Sequence, residues 1–293
     1  MSFNEDQLHR LFTERFQPRA DMLGPGDDCA ILINPPQQFC ISCDQLVAGV
    51  HFDEHASAMQ IAEKLIGRSL SDLAAAGASP HSCTLACAFP EDYSDEQSFE
   101  LCDELVNAAE RYQLAIIGGD CSSAKQLVLS CTVMGSANGN VPGRNNAKVG
   151  GKIYVSRALG GAVKSGRHLS PTPELALGKL LVEKCSPQAM IDLSDGFDND
   201  LRRILRASEV GAIVDVDLLP LNDDCDWQQA VSEGEDYGLL VVLDETVSLT
   251  IDDALIEDSH RLHRVGEITA SPTLDYQQNL KSVTLGKKPF SYS

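Results

Sequence analysis

Apolar positions recur at helical spacing in residues 4–16, where Leu8, Leu11, Phe12 and Phe16 share one side. The same period predicts a helix over 58–76, with Ile61, Leu65, Leu70 and Leu73 turned inward. Ser57 is its N-cap and Gly77 lies just past its end. A third amphipathic run covers 94–112, a fourth about 173–185, and a fifth runs from Gly196 to about 207. Short apolar or alternating runs predict strands after the Gly24-Pro-Gly loop and over 38–44, with Asn34-Pro-Pro turning between them. Others are predicted over 82–89, 114–117, 127–135, 152–156, 211–217 and 239–243, and one ends near Asp192. Ser136 to Gly151 is rich in Gly, Asn and Pro, and divides the chain into domains over 1–137 and 149–293. No internal repeat or low-complexity tract interrupts this pattern.

Chemistry-bearing residues cluster where these runs stop. Met190 to Leu201 begins apolar and ends helical, with Asp192, Ser194, Asp195 and the turn residue Gly196 between. A strand that ends this way projects two carboxylates and a hydroxyl, and leaves free N–H groups at a helix start. Hard oxygen ligands suit Mg²⁺, and free N–H groups suit phosphate; the same residues also serve as an ordinary N-cap and turn. Asp27 and Asp28 repel one another unless solvated or holding a cation. Asp72, in the last turn of its helix, opposes the helix dipole. Leu114-Ala-Ile-Ile runs into Gly118-Gly119-Asp120, where glycines let the backbone approach a ligand. Asp28, Asp44, Asp72, Asp120, Asp192 and Asp195 are thus all expected at element ends, with Glu235 and Asp236 at a strand entrance. Together they read as carboxylates holding several Mg²⁺ ions against a polyphosphate, an arrangement that transfers phosphoryl groups by positioning and charge neutralisation. No calcium-loop spacing, lysine-containing phosphate loop or protein-kinase catalytic loop is present. His51 and His55 are four apart, but Gly49 and Asp53 place them in a loop and argue against a transition-metal pair.

Charge narrows the partners. With 43 acidic against 23 basic residues, the 293-residue chain carries a net charge of −20, which argues against nucleic acid and anionic membranes. No signal-peptide pattern or membrane-length apolar run occurs, so the chain reads as soluble and cytoplasmic. Its ten cysteines are scattered, as in reduced proteins. Cys40 and Cys43 are three apart on a strand, hence on opposite faces, and do not make a metal site. Arg144 is a rare positive charge beside this acidic set, suited to phosphate.

Seven stretches, in order, resemble the thiamine-monophosphate kinase family. They are Gly26-Asp-Asp-Cys-Ala, Asp44-Gln-Leu-Val-Ala-Gly-Val-His-Phe, Ser71-Asp-Leu-Ala-Ala, Gly118-Gly-Asp, Arg144-Asn-Asn-Ala-Lys, Ile191-Asp-Leu-Ser-Asp-Gly and Gly234-Glu-Asp-Tyr. The resemblance spans nearly the whole chain. It implies the two-domain aminoimidazole-ribonucleotide-synthetase-like fold, mixed sheets flanked by helices. An α/β N-terminal domain would dimerise through its sheet, beside an α+β C-terminal domain. ATP and thiamine phosphate would meet between them, and the γ-phosphoryl group would pass in line to give thiamine diphosphate, with no general base. By resemblance Asp28, Ser42, Asp44, Asp72, Asp120, Asp192 and Asp195 bind Mg²⁺, with Cys43 contributing a backbone carbonyl where the family often has Thr. Gly119, Asp120, Arg144 and Ser194 contact ATP. His51 and Glu235 hold thiamine phosphate, and Phe290 stands about where the family has a C-terminal aromatic. The chain departs from the family at Cys121, Glu233 and Gly238 and in a Gly160-Gly161 loop without Gly-Asp, and it is shorter in its second half. Two alternatives remain: a superfamily enzyme with another acceptor, disfavoured by His51 and Gly234-Glu-Asp-Tyr, and a non-catalytic acidic metal-binding protein, disfavoured by Arg144 and Ser194.

Overall fold

The computed structural model describes residues 11, 14–17, 22–23, 31–32, 38–248, 261–288 and 290. Asp27 and Asp28 lie outside the described residues. Of the helix expected over 4–16, Leu11, Glu14, Arg15 and Phe16 are described; the first three are helical and Phe16 is not. β1 (Met22–Leu23) and β2 (Ile31–Leu32) pair antiparallel.

Four longer strands make the first sheet. β3 (Phe39–Val47), β4 (Ser79–Pro90), β5 (Ala115–Ala124) and β6 (Val128–Ser136) stand in the order β3-β6-β4-β5. Only β4 and β5 run parallel. Residues paired across strands share a face, so the row Leu46, Leu129, Cys87, Cys121 points one way, as does the row Asp44, Cys131, Leu85, Gly119. Helices α1 (Ala58–Ala75) and α2 (Asp95–Glu110) accompany this sheet, and Leu65, Leu73, Leu101 and Leu105 join its core. The opposite face carries Ile41 (64% exposed), Cys43 and Asp120, all open to solvent.

Ser57 caps α1 as expected, in a reciprocal box with Gln60, and Gly77 follows the helix at φ +64°. Two positions depart from expectation. Asp44 and Asp120 lie inside strands rather than at their ends. β3 continues past Asp44 because Gln45, Leu46 and Val47 go on pairing with Ser130, Leu129 and Val128. β5 continues past Gly118-Gly119 because glycine permits close pairing: a Cβ on Gly119 would lie 2.1 Å from the Leu85 carbonyl oxygen. As an edge strand, β5 also tolerates Ser122 and Ser123 facing solvent.

The second sheet has seven strands in the order β13-β12-β9-β11-β7-β10-β8. They are β7 (Lys152–Val155), β8 (Ala189–Asp192), β9 (Gly211–Asp215), β10 (Leu239–Leu243), β11 (His263–Thr269), β12 (Leu274–Gln278) and β13 (Lys281–Val283). All neighbours are antiparallel except β9 and β12. Every residue of β7, β8 and β10 is buried, which explains the apolar runs Ile153 to Val155, Ala189 to Ile191 and Leu239 to Leu243. Helices α3 (Leu175–Cys185), α4 (Phe197–Ser208) and α5 (Trp227–Ser232) complete this half. α5 and β11–β13 were not expected from the hydrophobic pattern.

Helix α1 belongs to both halves. It packs on β3 and β6, and also on α3 and β8. The contact with α3 is backbone to backbone: a Cβ on Gly178 would fall 2.0 Å from the Ala74 carbonyl oxygen. Ala74 is buried with Leu177, Leu181, Met190 and Val241 in the core of the second half. No helix among the described residues is long and apolar enough to cross a membrane.

Candidate functional site

Helical spacing aligns Lys64, Arg68 and Asp72 in one row on α1, at i, i+4 and i+8. Each finds a partner off the helix. Asp72 accepts a hydrogen bond from the Ser42 hydroxyl on β3. Arg68 holds Asp44, also on β3, at 3.0 Å. Lys64, wholly buried, pairs with Glu235, which is only 2% exposed and 171 positions further along the chain. One helix face thus gathers the first sheet and the Gly234-Glu-Asp-Tyr loop.

The turn after β8 supplies the remaining wall. Asp192 ends the strand, Gly196 adopts φ +90°, and α4 starts at Phe197. Two backbone bonds lock this turn to the loop before β10: the Glu235 N–H donates to the Ser194 carbonyl and the Tyr237 N–H to the Leu193 carbonyl, both at 2.8 Å. Asp195 is held by Arg203, which also binds Asp200, and the Asp195 N–H donates to Asp200. Phe290 packs onto Gly234, whose added Cβ would lie 2.6 Å from its ring. Its carbonyl accepts a hydrogen bond from Asn199, which also bonds the Asp195 carbonyl.

Charge is concentrated at the centre. Burial pushes the Asp192 carboxyl well above the usual range, and the neighbouring carboxylates of Asp72, Asp200 and Asp44 push it further. Among the described residues no Lys or Arg pairs with Asp192. Asp44 is also raised, mainly by burial, despite Arg68. A cavity of about 290 Å³ opens here, lined by Ser42, Asp72, Asp192 and Arg144 among others. Ser42, Asp72 and Asp192 offer it oxygen donors, and the two carboxylates repel one another, so the chemistry of these three fits Mg²⁺. Among the described residues no three His, Cys, Asp or Glu side chains are grouped tightly enough to hold a metal ion.

The expected site residues therefore fall into two places. Ser42, Asp44, Asp72, Arg144, Asp192, Ser194, Asp195, Glu235 and Phe290 lie around α1 and the β8 turn. His51 joins them, feeling Arg68, Lys64 and Glu235. Asp120 and Cys43 face the other side of the first sheet. Gly119 and Asp120 are on β5, three strands from β3, a distance of about 14 Å at ~4.8 Å per strand. Asp28 lies outside the described residues. Lys64, Arg68, Arg203 and His168 escaped the sequence reading. The signal for the first two was the charged row 64-68-72 on a helix whose remaining positions from Ile61 to Ala74, Glu63 apart, are buried.

The loop at Gly160-Gly161 is held by the residues beside Glu235. Asp236, 2% exposed, accepts the Gly160 N–H and pairs with Arg167 at 2.7 Å, while Glu233 accepts the Gly161 N–H at 2.8 Å. Burial pushes the Asp236 carboxyl up to about 6, against the pull of the Gly160 N–H and Arg167. A carboxyl raised on folding lends stability that is complete below its unfolded value of 3.8 and is lost as pH rises through about 6. The difference is on the order of 3 kcal/mol. Asp236→Asn should flatten the pH dependence of urea-unfolding free energy between pH 4 and 7, and an unchanged slope would refute this.

Comparison with known proteins identifies the relatives of this fold. The model of the AIR synthase related protein, N-terminal domain, matches residues 26–137, and that of its C-terminal domain matches residues 145–277. The chain is 34% identical to a thiamine-monophosphate kinase of Escherichia coli (strain K12), across 97% of this chain and 96% of the relative. A crystal structure of thiamine-monophosphate kinase from Stenotrophomonas maltophilia K279a superposes with a TM-score of 0.82 at 31% identity, covering 97% of this chain and 99% of that one. A structure of AaThiL complexed with AMPPCP and TMP shares the fold at a TM-score of 0.75 and 22% identity, covering 86% of each chain.

Proposed function

The chain belongs to the thiamine-monophosphate kinase family, and on that premise we propose how its residues carry ATP-dependent phosphorylation of thiamine phosphate. The observation that carries the reading is the convergence of Ser42, Asp72, Asp192 and Arg144 on one cavity, with Lys64-Glu235 and His51 beside it. Asp44, Asp72, Asp192 and Asp195, with the Ser42 hydroxyl, would hold Mg²⁺, joined by Asp28 and the Cys43 carbonyl. Arg144 and Ser194 would meet the ATP phosphates, joined by Gly119 and Asp120 of the β5 strand. His51, Glu235 and Phe290 would hold thiamine phosphate. Bound Mg²⁺ would neutralise the transferring phosphoryl group, so the protein's own task is to align the acceptor phosphate for in-line attack. The chain divides into functional units at 1–137 and 149–293, and it works in the cytoplasm.

The position of Asp120 adds a second copy to the reading. Asp120 belongs to the metal set by its motif, yet it sits on the solvent face of the first sheet, with exposed Ile41 and Cys43. A homodimer built through that face would bring one protomer's Asp120 to its partner's α1 cavity. Acceptor-dependent ADP formation from Mg-ATP tests the activity; no difference with and without thiamine phosphate rejects it. Mixing inactive Asp120→Ala and Asp72→Ala protomers tests the dimer. Random pairing leaves one intact site in half of the dimers, so about one quarter of full activity should return. No recovery would place Asp120 within its own protomer's site or outside the chemistry.

A further inference from the structure

The buried Lys64–Glu235 pair is flanked by two imidazoles whose backbone contacts fix opposite tautomers. His168 sits on a one-turn helix, Arg167–Leu169, half-buried, with its Nδ1 3.2 Å from the Ala162 carbonyl oxygen. A carbonyl only accepts, so Nδ1 carries the proton. Burial, then Lys64, draws His168 below the ordinary imidazole range, and the ring is neutral at and above neutral pH. Its Nε2 therefore presents a lone pair, which has no hydrogen-bond partner among the described residues. His51 is the reverse. Its Nδ1 accepts the Val47 N–H at 3.0 Å, so its proton lies on Nε2. Burial lowers His51 as well. Both rings lie in the field of Lys64 and Glu235. The one-turn helix packs on α1, so His168 presents a neutral acceptor beside the Lys64–Glu235 pair.

An acceptor substrate must match that polarity. The phosphate of thiamine phosphate is all acceptor, and a bare imidazole lone pair repels it. Its pyrimidine ring is different: an exocyclic amino group donates, beside ring nitrogens that accept. We propose that His168 is a specificity-determining residue that accepts a hydrogen bond from the pyrimidine amino group of the acceptor through Nε2. The inference rests on thiamine phosphate being the acceptor. It orients the substrate with its pyrimidine toward the one-turn helix at 167–169 and its phosphate toward the carboxylates of Asp72 and Asp192. The backbone bond to Ala162 is the positioning device, because it denies Nδ1 the lone pair and leaves it to Nε2.

His168→Asn tests this cleanly. The asparagine amide keeps a donor for the Ala162 carbonyl and removes the Nε2 lone pair. His168→Gln instead places an amide oxygen near the lost Nε2. The acceptors compared are thiamine phosphate and its analogue with an oxo group in place of the pyrimidine amino group. In the unaltered protein, kcat/KM should favour the amino acceptor by about tenfold or more, since a site built around a hydrogen bond rejects a partner of the wrong polarity. His168→Asn should raise KM for thiamine phosphate about tenfold, leave KM for ATP within about twofold, and erase the preference over the oxo analogue. His168→Gln should restore part of it. An equal rise of KM for both acceptors would mean a merely structural role and overturn the proposal, as would no rise. Equal use of both acceptors by the unaltered protein would overturn it without any variant. Absence of acceptor-dependent ADP from the unaltered protein would remove the thiamine phosphate reading itself, whereas turnover without discrimination removes only the role of His168.

Discussion

Asp192→Asn should reduce turnover by about a thousandfold or more while making the metal-free protein more stable at pH 7.5. The two effects have one cause. Asp192 is buried at the end of β8 among Asp44, Asp72 and Asp200, and its carboxyl is pushed far up by that setting. A carboxyl raised on folding costs stability whenever the pH lies above its unfolded value, because folding must then either desolvate the charge or capture a proton. Asparagine has the same shape without the charge, so the cost disappears. For a chain of this size each kcal/mol recovered raises the melting temperature by about 2–4 °C. The native protein should gain melting temperature on adding Mg²⁺ and the variant should gain less, since a ligand stabilises only what it binds. Calorimetric melting with and without Mg²⁺, beside an ADP assay, separates the outcomes. A variant that is both inactive and less stable would show that Asp192 is a structural carboxylate.

Lys64→Met should damage folding and acceptor binding together. Lys64 is completely buried, and burial draws its ammonium below the ordinary lysine range while Glu235 holds it up. Removing it leaves a carboxylate enclosed in the protein without its cation. Breaking such a pair costs about 3–5 kcal/mol, whereas replacing both members with neutral groups costs much less. Lys64→Met with Glu235→Gln should therefore recover most of the unfolding free energy. It should not recover activity if Glu235 also holds the acceptor, as proposed: KM for thiamine phosphate should then stay raised about tenfold or more. Urea titration of the three variants with acceptor-dependent kinetics decides this. If the double variant is no more stable than the single one, the pair does not carry the energy assigned to it.

Local features of this site were legible in the sequence, and long-range ones were not. The stop of an apolar run at Asp192 and the sharp turn at Gly196 are encoded by adjacent residues, as are the Ser57 cap and the misplaced carboxylate of Asp72 at a helix end. The fold class was likewise reached through ordered motifs. Asp44 and Asp120 were misplaced to strand ends because a polar residue in an apolar run looks like its terminus. In fact, Arg68 accompanies Asp44 inside the strand, and solvent accompanies Asp120 on an open sheet face. β11, β12 and β13 went unseen because most positions of β11 and β12 are half-exposed and most of β13 are exposed, so His263, Arg264, Glu267 and Lys281 broke the apolar signal. The charged row on α1 resembled a solvated helix face. Only the loop holding Glu235, far along the chain, reveals it as interior.

The backbone contact between Gly178 and Ala74 restricts how the enzyme can move. Helix α1 carries Lys64, Arg68 and Asp72 and is embedded in the cores of both halves, with its backbone against Gly178 and its Ala74 packed among Leu177, Leu181 and Val182. The catalytic cleft accordingly has no hinge along this helix. Substrate capture and product release are expected to fall to exposed residues such as 163–165, with the groups carried by α1 moving as one piece.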